Sequence, residues 1–134
     1  MTEMSDPLFI LLCSGEHEKI QMAAMTASIA AVSERPVHLL VSMNAVFAFA
    51  KDATQADRYQ GGAMSRLMLE KKAPDAVELF GQGKELGEMT VHVCSMALDM
   101  TGMELDDLAE GLFDGQMGLT KFLSDAESGH LVTL

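Results

Sequence analysis

The chain has 134 residues, 49% of them hydrophobic, with twelve Met, no Trp and one Tyr. That length suits one domain with a substantial core, taken here as residues 1–134, and the apolar content excludes a disordered chain. A net charge of −11 repels phosphate backbones and anionic lipid, so neither nucleic acid nor a membrane is an expected partner.

Residues 8–13, LFILLC, form a short, continuously apolar run, the pattern of a strand buried on both faces of a parallel sheet. Ser14 and Gly15 break it, and residues 16–33 are predicted as a helix with Glu16 and Glu18 at the positive end of its dipole. Ile20, Ala24, Ala27 and Ala31 make one apolar stripe of that helix. Met22, Met25, Ile29 and Val32 make another, and a helix this apolar is expected to be covered. A second buried strand runs over 36–42, and strand, helix, strand in close order is the βαβ signature. Residues 44–50 suggest a short helix. Residues 51–62 are polar, contain Gly61 and Gly62, and are expected to form a mobile loop, a lid if it lies near the site. Residues 64–70 are predicted as helical. Pro74 and Gly87 bracket another helix whose inner face would be Ala76, Leu79, Phe80, Gly83 and Leu86. A third strand, TVHVC, covers 90–94 and leads directly into a helix over 95–101. A short helix over 104–110, a brief strand over 111–114, a helix carrying Leu119, Phe122, Leu123 and Ala126, and a last strand over 130–134 complete the chain. The expected class is α/β.

Cys13 and Cys94 are the only cysteines, and they form no CxxC pair, so the spacing suggests neither a zinc site nor a disulfide scaffold. Met1 to Asp6 lack the basic stretch of a signal peptide, and no apolar run is long enough to span a bilayer, so a cytoplasmic protein with reduced thiols is expected. Sites of open parallel sheets gather at the carboxyl ends of strands, where both cysteines fall. Cys94 also precedes a helix, whose free N–H groups favour a thiolate, and a thiolate is the nucleophile. His92 shares a strand face with it. The side chains expected to line the site are Ser14 and His17 after the first strand, and His92, Ser95, Met96 and Asp99 around Cys94. The structural alternatives are a buried, inert thiol at either position, structural histidines at 38 and 92, and packing roles for Met96, Met100 and Met103. Dinucleotide, Walker, GxSxG and HExxH signatures are absent, so no cofactor and no metal are expected.

The segment VHVCSMALDMTGMELDDLAEGL, residues 91–112, resembles the DsrE/DsrF-like family of small sulfur-handling proteins, in its peroxiredoxin-like branch. The branch pattern CxMxxDxMG is met at Cys94, Met96, Asp99 and Gly102. Thr101 stands where the pattern has Met, with Met100 one step earlier. The stretches PLFILLCSGEHEKIQMAAMTASIA and VFAFAK, and the chain from Gly115 through GLTKFLSDAES to the final strand, are similar to the same family. The resemblance covers nearly everything except residues 51–66.

That resemblance implies a three-layer α/β/α domain on a five-stranded, mainly parallel sheet, assembled as a homo-oligomer with a trimer favoured. It implies sulfur carried as a persulfide on Cys94. The expected function is that of a small sulfur carrier or sulfurtransferase. It would take sulfane sulfur from a donor protein or small polysulfide and pass it to an acceptor thiol, with Cys13 as a secondary thiol. The alternative is a non-catalytic oligomeric module that binds a ligand or protein. A peroxidase-like role, invited by the branch label, lacks the cation that usually supports a peroxidatic thiol.

Overall fold

The structure, a computed structural model, describes residues 6–134. Its centre is a five-stranded sheet in the order β4-β3-β2-β1-β5, with every pairing parallel. The strands are β1 (Leu8–Leu12), β2 (Val37–Val41), β3 (Met89–Cys94), β4 (Gly115–Met117) and β5 (His130–Thr133). The helices are α1 (His17–Val32), α2 (Ala45–Ala48), α3 (Gln55–Arg58), α4 (Ala63–Glu70), α5 (Ala76–Leu86), α6 (Ser95–Thr101) and α7 (Leu119–Asp125). Single 3-10 turns cover Leu105–Asp107 and Ala126–Ser128. No helix among the described residues is long and apolar enough to cross a membrane.

Strand alternation divides the core between two faces. Ile10, Leu12, Val37, Leu39, Val41, Val91 and Val93 are fully buried. Met89 shares their face and meets α5 at Gly83. Phe9, one position out of step with that set, turns to the opposite face and packs edge-on against Phe122 of α7 at 5.6 Å. The chain steps from β1 to β4 in one direction across the sheet. It then returns past all of them to pair β5 with β1. A right-handed crossover in the reverse direction places its helix on the reverse face, which is why α7 sits opposite α1 and α5.

α1 and α5 pack closely because both present small residues. Ala23, Ala24, Ala27 and Ala31 are buried on α1. On the other side, a Cβ at Gly83 would come within 3.1 Å of Ser28 Cα, and one at Gly87 would overlap the Ala31 carbonyl. Leu86, expected on the inner face, is exposed instead, since α5 turns it away from α1 in its last turn. The second stripe of α1 also departs from expectation. Met22, Met25, Ile29 and Val32 are uncovered, with Ile29 64% exposed, because α5 and the sheet use only the alanine side.

The brief strand expected over 111–114 lies later, at Gly115–Met117. Gly111 adopts a left-handed turn at φ 76°. Asp114 then substitutes for a strand residue: its N–H donates to Val91 O at 2.7 Å, and its Oδ2 accepts from Val91 N–H at 2.8 Å. Pairing with β3 proper starts one residue on. The helix expected over 104–110 is reduced to one 3-10 turn, closed by Glu104 N–H donating to Asp107 Oδ2 at 2.9 Å.

Candidate functional site

Cys94 is the last residue of β3 and the residue from which α6 starts. Cys13 directly follows β1. The register pairs Leu12 with Val41 and Val41 with Val93, so the next residues, Cys13, Ser42 and Cys94, form one row at the carboxyl end of the sheet. Ser42 N–H donates to Leu12 O at 2.9 Å, which carries the ladder to that row. The two cysteines therefore lie at the same edge, with β2 between them, as their places at the ends of apolar runs led us to expect. Both are unbridged.

Their surroundings differ. Cys94 is 4% exposed, at the junction where β3 passes directly into α6. Cys13 is half-buried and lies in the wall of an open cleft of about 390 Å³ with Met43, Asn44, Phe47, Ala97, Met100 and Thr101. Burial pushes the Cys13 thiol up, and the neighbouring Cys94 pushes it further, because two thiolates would repel. Met43 is held in the left-handed region at φ 50°, a conformation that costs a non-glycine residue free energy.

The other predicted site residues scatter. Ser14 Oγ accepts from Glu16 N–H at 3.0 Å and so shapes the turn into α1. Ser95 is half-buried in the first turn of α6. Met96 and Asp99 are exposed and do not line the cleft. Met100, read from the sequence as packing, is 74% exposed and forms part of its wall. Met103 alone of the three methionines packs against the core.

His92 faces the same side of the sheet as Cys94 but contributes to a separate cavity of about 400 Å³ under α7, with His38, Thr90, Met117, Phe122 and Asp125. There His38 Nδ1 and Thr90 Oγ1 are hydrogen-bonded at 2.7 Å. Burial pushes the His38 imidazole down, against the smaller pull of Glu88 and Asp125.

His17 is corrected most. It is 2% exposed, its Nδ1 is hydrogen-bonded to Ser65 Oγ at 2.7 Å, and its ring stacks on Tyr59 at 4.0 Å. Tyr59 O–H donates to Asp75 Oδ1 at 2.6 Å, and Arg58 Nη1 donates to Asp75 Oδ2 at 3.2 Å. Burial lowers the pKa of His17 and, with the Asp75 carboxylate, raises that of Tyr59 far above the usual phenol range. This network fastens residues 58–60, where the chain was expected to be a mobile loop. Gln60 N–H also donates to Gly15 O at 2.8 Å, and His17 N–H donates to Gln60 O at 3.0 Å. Sequence reading missed the network, because only the fold brings Tyr59 and Asp75 to the start of α1.

Among the described residues, no group of three or more His, Cys, Asp or Glu side chains is arranged to hold a metal ion. No Lys or Arg lines the Cys13 cleft.

Two solved structures share the fold. One is MTH1491, a protein of unknown function from Methanobacterium thermoautotrophicum. It matches at a TM-score of 0.66 and 15% identity, covering 97% of this chain and 100% of that one. The other is the YchN protein of E. coli, at a TM-score of 0.62 and 15% identity, covering 98% and 100%. No protein-family model and no curated protein matches the chain.

Proposed function

We propose that this protein carries sulfane sulfur, held as a persulfide on Cys94 and passed to a partner thiol. The observation that supports this most is the pair of unbridged thiols in one row at the carboxyl edge of a parallel sheet, close enough for their charges to interact. Active groups of such sheets gather at that edge. The resemblance of residues 91–112 to DsrE/DsrF-like proteins adds the chemistry. Transfer needs only thiol exchange: a thiolate attacks the donor's outer sulfur, the sulfur–sulfur bond breaks, and the donor thiolate leaves. Donor and acceptor are partner proteins or a small polysulfide, and the working form is a homo-oligomer, with a trimer favoured.

The test is end-point loading of the reduced, full-length protein with polysulfide, followed by intact mass. The expected end point is one added sulfur atom that peptide mass places on Cys94; Cys13→Ser keeps it at least in part, and Cys94→Ser loses the stable Cys94 persulfide. Burial of Cys94 favours a second reading, a non-catalytic module whose cleft binds a ligand or protein. If no sulfur is gained and Cys94 alkylates only after unfolding, that module becomes the better account.

A further inference from the structure

The two thiols are not equally placed to meet a donor. Cys94 is buried, whereas Cys13 stands in the wall of the carboxyl-edge cleft. No Lys, Arg, His, Asp or Glu lines that cleft, and its rim is made by Met43, Phe47 and Met100, all of them exposed. An exposed apolar rim around a half-buried thiol is unusual on a chain of net charge −11. An anion entering it would lose water, find no cation, and sit in the negative field of the protein. An uncharged, apolar sulfur compound loses little water that it needs and gains contact with methionine and phenylalanine side chains.

From this the geometry points to Cys13 as the receiving thiol, and to uncharged apolar polysulfanes as the donor class. The inference rests on the sulfur-carrier function proposed above and adds to it the side of arrival and the charge of the substrate. Cys94, in the same row beyond Ser42, is then the inner thiol. The chemistry balances without an outside oxidant. Cys13 thiolate attacks one sulfur of a dialkyl trisulfide, a bond forms between Cys13 Sγ and that sulfur, and one sulfur–sulfur bond of the donor breaks. An alkyl thiolate or alkyl persulfide anion leaves with the electron pair and takes a proton from water. The protein sulfur is oxidised to the disulfide level, and the departing donor fragment is reduced by the same amount.

The experiment compares two trisulfides of similar length on the reduced, full-length protein: dipropyl trisulfide, which is neutral, and bis(2-carboxyethyl) trisulfide, which is anionic. Each rate is divided by that of the same reagent with free cysteine, and the first adduct is located by peptide mass. The expected result is a normalised preference of roughly tenfold or more for the neutral reagent, with the first adduct on Cys13. Phe47→Lys, at an exposed rim position, should bring the anionic reagent up towards the neutral one. Equal normalised rates, or a first adduct on Cys94, overturn the inference and leave sulfur carriage standing. If neither trisulfide modifies either cysteine while N-ethylmaleimide still labels Cys13, the inference fails; sulfur carriage fails with it when polysulfide also adds no sulfur.

Discussion

The thiol of Cys13 is raised by burial and by its neighbour, so its reactivity should respond to both. Alkylation of Cys13 followed against pH should rise with a midpoint above the ~8.5 of a free thiol. In Cys94→Ser the midpoint should fall, because the repulsion between two thiolates is gone; a midpoint that stays put would mean the thiols do not interact. Tyr59 offers a second residue-scale test. Tyr59→Phe keeps the stack on His17 but deprives Asp75 of its 2.6 Å donor, leaving Arg58 as the remaining side-chain partner. A loss of about 1–2 kcal/mol in urea-unfolding stability is expected from a buried acceptor short of one hydrogen bond.

At the scale of elements, the junction between β3 and β4 depends on Asp114. Burial alone would raise its carboxyl, but the Lys84 ammonium at 2.8 Å and Val91 N–H at 2.8 Å outweigh it and hold it below the usual carboxylate range. A depressed carboxyl stabilises the fold above its unfolded pKa of ~3.9, and that contribution is lost as pH falls through the lower folded value. Asp114→Ala should therefore cost about 1 kcal/mol at neutral pH, most of it from the Val91 N–H left without its partner, since the ion pair with Lys84 is partly in water. The gap between the two proteins should narrow in melts run below about pH 4, once the native carboxyl is itself protonated. A gap that stays constant down to pH 2 would show that the charge of Asp114 is immaterial.

For the whole molecule, the uncovered stripe of α1 is the feature a monomer explains least well. Met22, Met25, Ile29 and Val32 recur at the spacing of one helix face, and residues 20–33 carry no charge to oppose another −11 chain. Light scattering should show an assembly larger than a monomer at micromolar concentration, trimeric if the family resemblance holds. Ile29→Glu should shift it towards monomer without loss of helix signal, since the side chain already faces water within one chain. A wild-type monomer would remove the oligomer from the proposed function.

The sequence by itself determined the class and most of the elements, because a buried parallel strand must be apolar throughout and a helix must be bracketed by residues that stop it. LFILLC, the run ending at Ser42 and TVHVC are such strands, and Pro74 and Gly87 are such brackets. It also placed both cysteines at the strand ends, since that placement follows from chain order alone. What only the tertiary structure decided is which side of each element is covered and by what. α1 has two apolar stripes, and nothing local says that α5 takes the alanines and leaves the methionines. His17 is one turn from Cys13 in sequence, yet Tyr59 and Ser65 draw it into a buried network of its own. The motif singles out Cys94, but the fold buries it and leaves Cys13 in the wall of the cleft. Local pattern sets the period and ends of an element; exposure depends on long-range packing, which those patterns leave open.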